Sequence, residues 1–249
     1  MHSEDSRQYS EHPIQWDDSK VARLWNYYSR TPPYSDIYFA KRFGDRVLKL
    51  SGLPLDRPLG VLDFGCGPGF LWEHMLALGA RWEYSGLDFS EDSVKAALAK
   101  SQGHRQFREV RHVRELPSPW PAEHFDAALL VEVVEHLNDD YLNGTLAETR
   151  RLLKDDGALV ISTPNEEDLA ENMKFCPDCG AIFHQWQHVR AWSVDSLVAR
   201  LGQHGFRFEG ARMLEIDATG FVRRAAHFMR KVLTGRPPRT HMVVRFRKS

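Results

Sequence analysis

The chain has 249 residues, 42% apolar and 27% charged, with a net charge of −1. That suffices for one large domain and is too balanced for a molecule binding nucleic acid over its whole surface. No apolar run reaches the length of a membrane span, the polar N-terminal stretch lacks a signal-peptide core, and three cysteines make no disulfide framework, so a cytoplasmic setting is expected.

Residues 1–18 read as a flexible arm. Residues 19–57 are dense in aromatics, with Trp25, Tyr27, Tyr28, Tyr34, Tyr38, Phe39 and Phe43. A helix capped by Ser19 is expected to run through Tyr28, Pro32-Pro33 breaks it, and a second should span about Ser35 to Ser51. The pair either covers one edge of a sheet or closes over a site. The apolar run Val61 to Phe64 then reads as a short buried strand ending in glycines at every second position, Gly65, Gly67 and Gly69. Beyond them Leu71, Trp72, His74, Met75 and Leu76 take helical spacing. Strand, glycine turn and helix open a nucleotide-binding α/β unit, in which a ligand lies against bare backbone at a helix N-terminus. Asp63 is expected to turn a carboxylate into the crevice. A second strand, Trp82 to Asp88, ends in the acid that such folds use for ribose hydroxyls. Dinucleotide sites read G-x-G-x-x-G, whereas this loop reads G-x-G-x-G with Pro68 inside it.

Residues 58–249 continue as alternating strands and helices. Ser90 caps a helix over Glu91 to Ser101, Phe107 to Val113 is a third strand, Phe125 to Val131 a fourth and Gly157 to Ser162 a fifth. Helices are expected at Asp139 to Leu153 and Ser193 to His204, and the last strands at Phe206 to Ile216 and His241 to Lys248. This alternation predicts an α/β fold with a doubly wound, mostly parallel sheet. Two insertions interrupt it. One, 163–190, carries Cys176, Cys179, His184 and His188. The other, 218–240, carries Arg223, Arg224, Arg230, Lys231, Arg236 and Arg239 without an acid. It reads as a basic amphipathic helix, either packed with its charges in water or docking an anionic substrate or, peripherally, a membrane surface.

Glu132, Glu135 and His136 follow the fourth strand, at the edge where α/β enzymes place their sites. On a helical turn they share one face and bind a divalent cation or move protons. His188, four residues before Trp192, is a fourth candidate. The same histidine also completes Cys176, Cys179, His184 and His188, whose C-x2-C-x4-H-x3-H spacing suits a zinc knuckle. It cannot serve both sites.

The stretches D-F-G-C-G-P-G-F and G-L-D-F-S, then Phe125-Asp126, Val133 to Leu137 and Leu153 to Gly157, resemble the class I S-adenosylmethionine (SAM)-dependent methyltransferases. The likeness is dense over residues 58–165. It implies a Rossmann-like, seven-stranded sheet ending in an antiparallel pair, with SAM held by Asp63, Phe64, Gly65, Gly67, Gly69, Asp88, Phe89, Val113 and Glu132. His112 stands where that family often has an adenine-binding aspartate, which leaves adenine to the backbone near Val113. The N-terminal helices become a lid, with Tyr28 and Tyr34 reaching the cofactor. The E-x-x-E-H element of Glu132, Glu135 and His136 resembles two metal-dependent branches, the O-methyltransferases of ubiquinone biosynthesis and the small-RNA 3′-terminal 2′-O-methyltransferases. It implies Mg2+, Mn2+ or Zn2+ on Glu132, Glu135, His136 and His188, or, without metal, proton transfer by His188 or His136 with Glu135. The expected activity is O-methylation of a small hydroxylated metabolite. The alternatives are RNA 2′-O-methylation and a non-catalytic SAM-binding scaffold with a zinc knuckle. Neutral net charge and the lack of an RNA module weigh against the first, and the intact loop with Asp88 against the second.

Overall fold

The computed structural model describes residues 10–100, 103–216 and 240–249. Residues 1–9 of the expected arm and the basic segment 218–239, with its expected membrane or substrate dock, lie outside the described residues. In chain order the elements are β1 (His12–Pro13), α1 (Asp18–Arg30), α2 (Phe39–Leu50), β2 (Gly60–Phe64), α3 (Phe70–Ala77), β3 (Glu83–Asp88), α4 (Glu91–Lys100) and β4 (Phe107–His112). There follow β5 (Phe125–Val131), α5 (Asp139–Leu152), β6 (Leu153–Pro164), β7 (Met173–Phe175), β8 (Ala181–His184), α6 (Val194–Gln203), β9 (Phe206–Glu215) and β10 (Thr240–Lys248).

The main sheet has seven strands in the order β4-β3-β2-β5-β6-β10-β9. All neighbours are parallel except that β10 runs antiparallel to both β6 and β9. The central strands are apolar on both faces because helices cover both. Val61, Ala127, Leu129 and Val160 pack with α2 and α3 on one side, around the fully buried Trp72. Leu62, Ala128, Leu130 and Ile161 pack with α5 and α6 on the other. Strand order reverses between β2 and β5, and outside their carboxyl ends lies the crevice where such sheets bind ligands.

Several boundaries differ from expectation for local reasons. Helix α1 starts earlier, because Asp17 rather than Ser19 caps it by accepting from the Lys20 amide at 2.9 Å. The expected second helix is shorter: Tyr34–Asp36 form a single 3-10 turn, and Tyr38 leaves helical geometry before α2 begins. Ser193 caps α6 through a reciprocal capping box with Ser196. β6 outruns its expected end to Pro164, drawn on by the β10 ladder that pairs His241 with Pro164.

The 163–190 insertion folds into a hairpin of β7 and β8, and β1 adds to it in parallel. Backbone bonds from His12 to Gly180 (3.1 Å) and from Ile14 to Ile182 (2.9 Å) tie down this part of the expected arm. Among the described residues no helix is long and apolar enough to cross a membrane.

Candidate functional site

The glycine turn closes over the end of β3. The Gly65 and Cys66 amides both donate to the Leu87 carbonyl, at 2.8 and 3.0 Å. Gly65 has φ +81°, and a β-carbon there would lie 2.8 Å from Val133 Cγ2, so this position has no room for a side chain. Gly67 also sits in the left-handed region, at φ +51°, and a β-carbon there would make only an ordinary van der Waals contact, with Tyr38 Cε1 at 3.9 Å. The Asp88 carboxylate accepts from the Gly67 amide and the Ser90 amide, each at 2.8 Å. Burial nevertheless pushes its pKa up to about 6. Phe89 stands beside it, 45% exposed.

Asp63, Phe64 and Val113 are placed differently from the sequence expectation. Strand alternation puts Phe64 in the apolar core on one face of the sheet and Asp63 on the other. Asp63 is 2% exposed and accepts from the Tyr84 hydroxyl at 2.8 Å, so it faces the core beneath the loop rather than the crevice. Burial pushes its pKa up to about 7. The Val113 amide is already committed to the Asp88 carbonyl at 3.0 Å, and the His112 ring to the Phe89 carbonyl at 2.9 Å.

The aromatic over the glycine loop is also another than expected. Tyr28 and Tyr34 stack on each other, ring centres 4.3 Å apart, with Trp186 against both, and the Tyr28 hydroxyl donates to the Gln185 carbonyl at 2.6 Å. The residue over Gly67 is Tyr38, packed between Trp25 and Phe70. Burial, with the Asp88 charge adding to it, raises its phenol pKa. Its sequence signal was its place between the double proline and α2, where the chain must turn toward the glycine loop. Trp25 Nε1 donates to Gln187 Oε1 at 3.0 Å, and Gln187 Nε2 donates to the His136 carbonyl at 2.9 Å, so α1, the insertion and the turn are tied together.

After β5 the chain makes a tight turn, with the His136 amide donating to the Val133 carbonyl at 3.1 Å, rather than the helical turn expected. Glu132 takes φ +55°, a strained conformation for a residue with a side chain. Its carboxylate is thereby sent toward β6 and β10. It accepts from Ser162 Oγ at 2.8 Å and lies 2.9 Å from Nδ1 of His241, whose ring stacks on Phe39. Glu135 points the other way, 1% exposed, with one oxygen accepting from Thr163 Oγ1 at 3.0 Å. Burial, then the nearby Glu132, raises its carboxyl pKa well above the usual carboxylate range. Burial, then His188, holds the His136 imidazole well below its ordinary value and so uncharged. His188 meets Glu167 through Nδ1, and its backbone amide donates to Nδ1 of the stacked His184 ring at 3.1 Å.

Donor atoms of Glu135, His136 and His188 lie within 4.8 Å of one another, as do those of Glu167, His184 and His188. Of the four ligands expected for a divalent cation, three therefore converge and Glu132 does not. Glu135 Oε1 and His136 Nδ1 are buried without a hydrogen-bond partner among the described residues. Unpartnered buried polar atoms are costly, and one carboxylate with two imidazoles is a donor set that a divalent cation would satisfy. Glu167 and His241 were missed by sequence reasoning. The first sits in a run of acids, and the second reaches the site only through the β6–β10 register.

The zinc set does not assemble. Cys176 and Cys179 occupy the tip of the β7–β8 hairpin, where the Cys176 amide bonds to the Ala181 carbonyl, while His184 pairs with Met173 at the other end. Three strand positions amount to roughly 10 Å. Among the described residues neither cysteine joins a cluster with His184 or His188. Cys176→Ser and Cys179→Ser are therefore expected to leave bound metal at the wild-type level, as read by elemental mass spectrometry. Metal lost in both variants would restore the knuckle.

Residues 36–209 match the family model described as a methyltransferase domain. The chain is 32% identical over 171 residues to a ubiquinone biosynthesis O-methyltransferase of Ruegeria sp. (strain TM1040), covering 66% of this chain and 64% of that protein. It is 37% identical over 178 residues to the Roseobacter denitrificans protein of the same name, covering 66% and 63%. The match thus spans less than two thirds of the length of these relatives. Among solved structures, Burkholderia thailandensis 1,6-didemethyltoxoflavin-N1-methyltransferase with bound S-adenosylhomocysteine aligns with a TM-score of 0.62 at 22% identity, over 100% of this chain and 98% of that one. A Haloferax volcanii complex of the Trm112 activator and a methyltransferase aligns at 0.63 and 17% identity, over 94% and 99%. At these identities the two structures share the fold.

Proposed function

The chain belongs to the methyltransferase-domain family of class I, SAM-dependent enzymes, and on that premise we propose that it methylates a hydroxyl oxygen of a small metabolite. The observation that carries this reading is the convergence of Glu135, His136 and His188 at the carboxyl edge of the sheet. That turn abuts the glycine loop, since Val133 packs on Gly65. Relatives named O-methyltransferases support the same acceptor atom.

Methyl transfer from a sulfonium is an in-line displacement, so the protein must chiefly align donor and acceptor and exclude water. Asp88 is the group for the ribose hydroxyls, Gly67 gives the ligand bare backbone, and Tyr38 and Trp25 close the crevice from above. An amine attacks unaided, but a hydroxyl is a poor nucleophile until its proton is drawn away. Glu135, His136 and His188 converge in a dry site, where an imidazole supplies that function. They also fit a divalent cation, which when bound would act as a Lewis acid on the acceptor oxygen. His188 orients the acceptor hydroxyl and takes its proton, and Thr163 fixes the Glu135 carboxylate.

The test is an acceptor panel of catechols, hydroxy acids, aromatic amines and RNA 3′ ends, with the methylated product located by mass spectrometry and NMR. A methyl ether on a small hydroxylated acceptor is expected. Turnover should stop on chelation and return with Mg2+, Mn2+ or Zn2+. Product methylated only on nitrogen would overturn the oxygen acceptor, product only on RNA ends would overturn the small metabolite, and full turnover in chelator would assign proton removal to the side chains alone.

A further inference from the structure

Behind the convergent site lies a second set of groups that shares only His188 with it. The His188 backbone amide donates to His184 Nδ1 at 3.1 Å. An amide has a fixed hydrogen, so Nδ1 must supply a lone pair, and the neutral His184 ring carries its hydrogen on Nε2. That nitrogen faces Glu167 Oε1 at 3.6 Å. The other oxygen of Glu167, Oε2, is in close contact with His188 Nδ1. A carboxylate only accepts, so the hydrogen in this contact belongs to His188 Nδ1. His188 Nε2 is then left with the free lone pair, on a ring whose centre lies 4.9 Å from that of His136.

These hydrogen positions distinguish the two three-residue clusters. A cation on His184 Nε2 would need a lone pair where the backbone amide has forced a hydrogen, so Glu167, His184 and His188 are not arranged to hold one. In the other cluster His188 offers a lone pair, and Glu167 stands in the place from which second-layer carboxylates orient metal-bound or proton-accepting histidines.

We infer that Glu167 is a positioning residue, which with His184 locks His188 in the tautomer that presents a bare Nε2 to the acceptor site. This rests on the proposed O-methylation for its catalytic consequence, but the tautomer itself does not. Glu167 touches neither Glu135 nor His136 through a hydrogen bond among the described residues. Its close contact is with His188 Nδ1; its Oε1 also accepts from Asn172 Nδ2 at 3.4 Å, and its charge adds to the upward push on the Glu135 carboxyl.

The experiment is long-range proton–nitrogen NMR of the histidine rings in uniformly 15N-labelled full-length protein, His188 being assigned by the signals lost in His188→Asn. In the wild type the hydrogen is expected on Nδ1. In Glu167→Ala both tautomers should appear, and kcat should fall about ten- to hundredfold, the usual cost of losing such a partner, with KM for SAM unchanged. Glu167→Gln, which retains an acceptor oxygen without charge, should recover the Nδ1 tautomer and most of kcat. A hydrogen on Nε2 in the wild type overturns the inference, and so does a Glu167→Ala protein with unchanged tautomer or unchanged kcat. If Glu167→Ala does not fold, the wild-type spectrum and the Gln variant still decide. Should the acceptor panel show methylation of another atom, the tautomer result stands or falls separately.

Discussion

Gly67→Val is expected to abolish SAM binding in a protein that still folds. Two effects act together. The backbone at Gly67 holds φ +51°, where a side chain costs about 1–2 kcal/mol and a β-branched one more. That cost falls on a loop rather than on the central strands, so the sheet should survive it. The isopropyl group would also enter the gap between the loop and Tyr38, where a β-carbon alone already comes within 3.9 Å of the ring. No ligand could then lie against the backbone. Calorimetry should detect no heat of SAM binding, while thermal unfolding remains cooperative. Asp88→Ala is the companion test. It removes the carboxylate proposed to accept from the ribose hydroxyls, a charged hydrogen bond worth about 1.5–3 kcal/mol, and releases the Gly67 and Ser90 amides that shape the loop. Undiminished SAM affinity in both variants would falsify the assignment of this crevice.

The loop was legible in the sequence because everything it needs is local. Strand, glycine spacing and the acid ending the next strand all follow from short-range periodicity, and two-sided burial of the central strands follows from their apolar runs. The acid and histidine cluster was only half legible. Spacing placed Glu132, Glu135 and His136 on one face of a helix, but the chain turns at Glu132 with positive φ, and that single dihedral sends its carboxylate to Ser162 and His241. His241 is there because β10 pairs antiparallel with β6, a register no local pattern encodes. The knuckle spacing misled for a related reason. In a hairpin, residues are separated along the strands as they leave the tip, so Cys176 and His184 lie at opposite ends of the ladder. Tyr38 was visible only as one of the N-terminal aromatics, and Glu167 not at all, because the contacts of each come from elements far away in the chain.

Asp63→Asn is expected to make the protein more stable at pH 8 and to make its stability fall less steeply between pH 4 and pH 7, with Asp88 supplying the slope that remains. Asp63 is 2% exposed, with the Tyr84 hydroxyl as its hydrogen-bond donor and Asp88 close enough to add repulsion. Burial pushes its pKa in the fold up to about 7, against about 3.9 for an unfolded aspartate. Over that interval the folded protein holds a proton that the unfolded chain has released. Stability therefore falls as pH rises, and is lowest once the folded carboxyl has ionised. Three pH units at 1.36 kcal/mol each put an upper bound of about 4 kcal/mol on the loss. The amide oxygen of the variant could still accept from Tyr84, but its NH2 would want an acceptor, which costs about 1–3 kcal/mol if none is found. The net gain at pH 8 should thus be about 1–3 kcal/mol, with a loss of up to about 1–3 kcal/mol at pH 4, where the native carboxyl is protonated and the cost of the NH2 stands alone. Urea unfolding at both pH values measures the difference. A variant whose stability keeps the wild-type slope between pH 4 and pH 7 would mean that Asp63 stays ionised in the core, held by Tyr84 against the cost of burial.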